Sequence, residues 1–227
     1  MNTNLTELAF ILDRSGSMQS VAAAAIEGFN HFLREQQRAP GLARLTVVLF
    51  DDEYLVPAQS LPVAEVIPLD ETTYVPRNTT ALLDAIGRTI DDIGARLHQM
   101  READRPGKVI VAILTDGLEN ASTRFTWRDV ARRIKRQTAK YQWEFLFLGA
   151  NQDAIATAAQ LHIAAANAAT YHGDAVGQVS GSASLARKST ALRARTAGRA
   201  SAADLHDAAA PMEELLHEED DKRRSGK

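Results

Sequence analysis

The chain contains no cysteine. Disulfides, thiolate metal sites and cysteine nucleophiles are therefore excluded, and the lack is compatible with a reducing compartment. Aromatic residues are few, at 6%. An excess of positive charge is also missing. Lys and Arg number 26 against 29 Asp and Glu, for a net charge of −3 and a pI near 6.1. That balance excludes a generally basic nucleic-acid coat. No window approaches the roughly 20 apolar residues of a membrane span. The start, Met1 to Glu7, has no basic region, and the apolar run Leu8 to Leu12 is too short for a signal peptide. The default expectation is a soluble cytoplasmic protein with no membrane partner.

Alanine is what the chain has in excess. Of the 45% hydrophobic residues, 39 positions are alanine. Without them, roughly 28% large apolar and aromatic residues remain to build a core, by count from the same sequence. A length of 227 residues suits one domain, or one domain with an appendage.

Apolar runs set out the order of elements. Leu5 to Leu12, Leu45 to Phe50, Val109 to Leu114 and Trp143 to Leu148 read as buried strands. Tyr54 to Val56 reads as an antiparallel edge partner after the polar turn Asp51-Asp52-Glu53. Pro57, Pro62, Pro68 and Pro76 predict irregular or short extended pieces beyond it. Helical spacing marks Met18 to Gln37, Ala81 to Met100, Trp127 to Lys140 and Asp153 to Leu161. Thr126 and Asp129 form a capping pair for the third of these. Ile163 to Tyr171 predicts a last alanine-rich strand. Alternating strands and helices predict an α/β fold: a doubly wound, mainly parallel sheet with one antiparallel edge strand and helices on both faces. In such sheets the site lies beyond the carboxyl ends of the strands, at the switch point.

Beyond Gly173 the character changes. Val179 to Ala200 carries five cations and no anion, and Ser201 to Lys227 holds eight acids. Large apolar residues are scarce in both. The expected division is a domain over residues 1–173 and a weakly helical or disordered tail over 174–227.

The informative loop is Asp13-Arg14-Ser15-Gly16-Ser17, directly after the first strand. It places three oxygen side chains at i, i+2 and i+4. Thr79 and Thr80 precede the second helix, and Asp116 follows the third core strand. In a doubly wound sheet these loops lie side by side. An all-oxygen cluster suits a hard cation such as Mg²⁺. Read singly, the same residues are ordinary caps and turns; their conjunction points to a metal.

These residues resemble a von Willebrand factor type A (VWA) domain with a metal-ion-dependent adhesion site. Asp13, Ser15 and Ser17 match the family's D-x-S-x-S motif, Thr80 its threonine and Asp116 its second aspartate. Thr79 stays open as the alternative, because Asn78 and Thr79 stand where the family usually has glycine. The resemblance spans roughly residues 5–171. It implies a Rossmann-like fold and a bound Mg²⁺, with Mn²⁺ or Ca²⁺ as alternatives. The serines and threonine would bind the ion directly, and the aspartates directly or through water. Neutral hydroxyls cancel little of the cation's charge, so it stays attractive to an outside carboxylate. The implied function is non-enzymatic capture of a partner protein's Asp or Glu. Intracellular bacterial members often work beside AAA-type ATPases or in larger assemblies, so a partner of that kind is expected.

The competing reading is a metal-dependent hydrolase or phosphotransfer enzyme with Asp13 as nucleophile. Asp13-x-Ser15 lacks the second aspartate of a DxD loop, and no GxxxxGK[ST], GxSxG or HExxH motif is present. Other features admit a functional and a plain reading. Glu119 and Asn120 read as a solvated loop or the rim of the site, Arg14 as a lure for acidic partners or merely exposed. Asp51 to Glu53 read as a turn or a second cation site, Asn151 and Asp153 as ligand-facing or, for Asp153, a helix cap. Arg187 to Arg199 lacks the interleaved aromatics of a nucleic-acid surface, so no nucleic acid is expected. The acids Glu213 to Asp221 offer carboxylates that could reach a metal site in cis or in a neighbour.

Overall fold

A computed structural model describes residues 1–150 and 153–226. The apolar runs form six strands: β1 (Asn2–Asp13), β2 (Leu42–Phe50), β3 (Tyr54–Pro62), β4 (Pro106–Thr115), β5 (Glu144–Ala150) and β6 (Ala168–Tyr171). Between and after them lie α1 (Ala22–Arg38), α2 (Leu82–Gln99), α3 (Trp127–Tyr141), α4 (Ala154–Gln160), α5 (Ala175–Thr196), α6 (Ala202–Ala209) and α7 (Met212–Arg224). The strand order is β3-β2-β1-β4-β5-β6. Every pairing is parallel except β2 with β3.

Each central strand is apolar on both faces because helices cover both. Leu8, Phe10 and Leu12 of β1 pack with Phe29, Phe32 and Leu33 of α1. Ala9 and Ile11 face the other way, toward Leu82, Ile86 and Ile90 of α2 and Val130 and Ile134 of α3. Phe10 meets Phe29 edge-on, with ring centroids 5.4 Å apart, a favoured aromatic geometry. Thr126 and Asp129 make the reciprocal cap expected of them at the start of α3. The strand order reverses direction between β1 and β4, so the carboxyl ends of these two strands flank the crevice where such sheets carry their sites.

Two expectations change. β3 continues through Pro57 to Pro62 instead of breaking up. It is an edge strand, where a residue without an N–H is tolerated on the open side. Its pairing with β2 is irregular between Val47 and Leu45, and Ser60 there has φ +49°.

The second change concerns the tail. Residues past Gly173 form α5, α6 and α7, and α5 is buried along most of its length. Leu185, Ala186, Ala191 and Leu192 of α5 and Met212 and Leu216 of α7 belong to the same apolar cluster as Leu12 and Phe29. The scarcity of large side chains does not mark a disordered segment. It marks a helix pressed close to its neighbours: a Cβ on Gly28 of α1 would lie 2.6 Å from the Ser182 hydroxyl and 3.2 Å from the Gln178 carbonyl. The cations are also used internally. Arg193 donates to the Gln36 carbonyl and side-chain oxygen, both at 2.9 Å, and to the Gly41 carbonyl at 3.1 Å, closing the end of α1. Lys188 donates to the carbonyls of Ala208 and Ala210 at 3.0 and 2.5 Å. Arg187 pairs with Asp207, Glu218 and Glu219. Among the described residues no helix is long and apolar enough to cross a membrane.

Candidate metal centre

Asp13 ends β1, Asp116 follows β4, and Thr80 precedes α2. The topology alone therefore brings the three loops together at the switch point. The side chains converge as well. A Cβ added at Gly117 would lie 2.7 Å from Thr80 Oγ1 and 3.5 Å from both Asp13 Oδ2 and Ser15 Oγ. Three oxygens thus line a cradle that only a residue without a side chain leaves open. Ser15 Oγ and Ser17 Oγ are 3.1 Å apart, and the Ser17 hydroxyl donates to Asp116 Oδ1 at 2.6 Å. All five residues marked in the sequence meet in one cluster. Thr80 is buried whereas Thr79 is exposed, so the threonine facing the cluster is Thr80. Asp13, Ser15 and Thr80 are 0%, 2% and 3% exposed. Ser17 is exposed and Asp116 partly so, which leaves one side open to solvent.

Asp13 is locked. Its Oδ1 accepts the Ser15 N–H at 2.7 Å and its Oδ2 accepts the Thr115 hydroxyl at 2.5 Å. Burial nevertheless pushes its carboxyl up to about 6, against the lowering effect of these bonds. Burial raises Asp116 in the same direction. Two desolvated carboxylates beside three hydroxyls form a site whose unbalanced negative charge suits a hard cation. Among the described residues no group of three or more His, Asp or Glu side chains is placed to hold a metal ion, so a cation here depends on the hydroxyls too. The donor set and the cradle both fit a divalent ion.

The supporting residues were mostly invisible in the sequence. The Tyr74 hydroxyl donates to the Asp13 carbonyl at 2.6 Å, and that of Tyr171 to the Thr115 carbonyl at 3.2 Å. Burial, reinforced by the charges of Asp13 and Asp116, raises both phenols above their ordinary value, so both stay protonated donors. Asn78 has φ +53°, a left-handed backbone that asparagine tolerates, and its carbonyl accepts the Gly16 N–H at 3.0 Å. The loop after Asp116 clamps α2. Glu119 accepts the Leu83 N–H at 2.8 Å, and Asp84 in return accepts the amides of Thr123, Arg124 and Phe125. Glu119 is therefore a cap from a neighbouring loop and not a rim ligand. Asn120 holds Thr80 from both sides. Its Oδ1 accepts the Thr80 N–H at 2.9 Å and its N–H donates to the Thr80 carbonyl at 3.0 Å. Asn120→Ala is expected to destabilise the protein by about 1–2 kcal/mol. It should also weaken divalent-ion affinity roughly tenfold by freeing Thr80. Calorimetric titration of the variant with Mn²⁺ checks this; unchanged affinity would contradict the positioning role.

Arg14 is 5% exposed. It pairs with Asp51 at 3.1 Å and Glu53 at 3.4 Å, while Arg77 pairs with Asp51 at 2.7 Å and with Glu53. Arg14 is thus buried in an ion-pair network, not displayed to a partner. The carboxylates of Asp51 and Glu53 are matched by arginines and need no second cation. Asp153 caps α4 by accepting the Ala156 N–H at 2.8 Å; Asn151 lies outside the described residues.

No family model matches the chain, and no curated protein matches it by sequence. Solved structures do. The proximal thread matrix protein 1 of the mussel byssus, with a zinc-occupied metal-ion-dependent adhesion site, is 14% identical with a TM-score of 0.55. That match covers 82% of this chain and 46% of the mussel one. The manganese-loaded TRAP protein of Plasmodium vivax is 15% identical with a TM-score of 0.54, covering 75% of this chain and 70% of its own. A von Willebrand factor type A protein from Catenulispora acidiphila is 19% identical with a TM-score of 0.51, covering 85% and 42%. The chain spans less than half the length of two of these three. Strand order, helices on both faces and the superposition on these structures agree: this chain has the von Willebrand factor type A fold.

Proposed function

We propose that the chain is a divalent-metal-dependent protein-binding module. Asp13, Ser15, Ser17, Thr80 and Asp116 would hold Mg²⁺, or Mn²⁺ or Ca²⁺, and the bound ion would supply a Lewis-acidic position for a carboxylate of a partner protein. The observation that carries this reading is the cradle at Gly117, where Thr80, Asp13 and Ser15 oxygens surround one point. The metal-loaded sites of the mussel and Plasmodium proteins support it. The open side at Ser17 and Asp116 gives an acidic side chain its approach, and such a contact has the strength of a charge-assisted bond.

The reading is non-enzymatic. Both Asp13 oxygens accept hydrogen bonds and the side chain is fully buried, which disfavours it as a nucleophile for hydrolysis or phosphotransfer. Three acids of α7 are engaged within this chain, Glu218 and Glu219 with Arg187 and Asp220 with Arg224, which favours a partner's acid from another molecule. A role in an intracellular assembly, such as one with an AAA-type ATPase, extends this reading.

Adding Mg²⁺ or Mn²⁺ at about 100 times its Kd is expected to add about 2.7 kcal/mol of stability. In a chain of this size that is a rise in Tm of roughly 5–10 °C. An immobilised Glu-containing peptide library should retain the protein with Mg²⁺ and release it with EDTA. Absence of any divalent-ion response in both assays would overturn the proposal.

A further inference from the structure

A second polar cluster lies toward the amino ends of the parallel strands, about 20 Å along β1 from Asp13. Its centre is Glu7, 1% exposed. Glu7 Oε1 stands 2.6 Å from a terminal nitrogen of Arg96 on α2, yet neither atom makes a directed hydrogen bond. Glu7 Oε2 accepts the Ser60 hydroxyl at 3.1 Å. The same hydroxyl accepts from Arg44 Nε at 3.0 Å. Ser60 is held in turn, its N–H donating to Thr46 Oγ1 at 3.0 Å. With φ +49°, Ser60 adopts a backbone conformation that penalises any residue with a Cβ. Such strain persists where the surroundings impose it, and it concentrates at ligand sites.

Glu7, Arg44, Ser60 and Arg96 line a cavity of about 460 Å³ that opens to solvent, within the size range of small-molecule sites. Among the described residues that line it, Glu7, Arg44 and Arg96 carry charge, for a formal charge of +1. Leu5, Met100 and Pro106 supply an apolar side. Arg44 uses its Nε on Ser60, and no described residue hydrogen-bonds its two terminal nitrogens. A guanidinium fixed through Nε with its end group available is arranged for the two-point recognition of a carboxylate. The single positive charge matches a monoanion better than a phosphate dianion.

We propose that this cavity is a second ligand site, independent of the metal cluster, that takes a small organic carboxylate: the acid against Arg44 and Arg96, the aliphatic body against Leu5, Met100 and Pro106. Ser60 is its positioning residue, tying Arg44 to Glu7.

The test is calorimetric titration of the full chain with hexanoate near pH 7.5. EDTA is present throughout, so that metal-bound carboxylate does not contribute. Saturable binding with a Kd on the order of 1 mM is expected for a ligand of this size. Arg44→Gln should weaken it roughly tenfold or more. Ser60→Gly relieves the left-handed backbone but takes from Glu7 Oε2 its hydroxyl donor, so its Tm should stay within a few degrees of the wild type while hexanoate binding weakens several-fold. That split separates ligand positioning from a merely structural role. 1-Hexanol and inorganic phosphate, run in parallel, should bind more weakly. No saturation with hexanoate, equal or tighter binding of hexanol or phosphate, or wild-type affinity in both variants would each overturn the assignment.

Discussion

Asp13→Asn is expected to make the metal-free protein more stable and to erase its response to divalent ions. The first half follows from burial. The Asp13 carboxyl has an ordinary value of 3.8 and sits at about 6 in the fold. The unfolded chain therefore releases this proton near pH 3.8 and the folded chain only near 6. A group raised in this way loses its stabilising contribution as pH rises through that window, and the deficit is complete above it. At about 1.4 kcal/mol per pH unit, holding the charge costs on the order of 3 kcal/mol at neutral pH.

Asparagine removes the charge and keeps the hydrogen bonds. Its oxygen can accept the Ser15 N–H, and its amide can donate to Thr115 Oγ1. The Thr115 hydroxyl is already 3.2 Å from the Gly117 carbonyl, to which it can donate instead. The expected gain at pH 7.5 in EDTA is about 2 kcal/mol, or roughly 4–8 °C in Tm. In the wild type a divalent ion held by the cluster would offset the same deficit, so its stabilising effect is expected to be larger at pH 7.5 than at pH 5. Asp116, raised by burial in the same direction, adds to this trend. The cost of a functional site in stability is a general pattern. Thermal melts of both proteins with EDTA and with Mg²⁺, at the two pH values, check it. A less stable Asp13→Asn in EDTA at pH 7.5 would contradict the charge argument, and a retained Mg²⁺ response would contradict the role of Asp13.

A chain ending at Gly173 is expected not to fold cooperatively. It would keep β1 to β6 and the five residues of the oxygen cluster. It would lose Leu185, Leu192, Met212, Leu215 and Leu216, all buried. At about 1.5–3 kcal/mol for each buried side chain, that loss approaches or exceeds the roughly 5–15 kcal/mol of total stability typical of a domain. It would also uncover Leu12, Leu114 and Leu148 on the sheet and Phe29 on α1, which share that cluster. Urea denaturation followed by circular dichroism is the measurement. A sharp transition in residues 1–173, with a divalent-ion response, would establish that part as a self-sufficient domain and refute this prediction.

The core elements were legible because their signals are local. Phe10, Ile11 and Leu12 are apolar in succession since both faces of β1 are covered. Ile86, Ile90 and Ile93 recur at helical spacing along α2. The cluster Asp13, Ser15, Ser17, Thr80 and Asp116 was legible for a related reason. Each residue stands at the boundary of an element, and a doubly wound sheet gathers those boundaries at one end. Its supports were not legible. Tyr74 lies in a segment without periodicity, and nothing near Asn120 in the sequence reveals that it binds Thr80 from 40 positions away. Arg14 illustrates the opposite error: its place inside the polar loop Asp13 to Ser17 suggests exposure, and only the fold brings Asp51 and Glu53 against it.

By itself the sequence determined the α/β alternation, the parallel sheet with its edge strand, and which oxygens would meet. Periodicity and element boundaries carry that information along the chain. The tertiary structure alone decided that Thr80 rather than Thr79 faces the cluster, that Arg14 is buried, and that the alanine-rich C-terminal part belongs to the core. Its physical reason is close approach. Small side chains look like a lack of core in a composition count, yet they are what allow α5 to lie against Gly28 and the sheet. Whether a surface is buried depends on what packs against it, and that partner is distant in sequence.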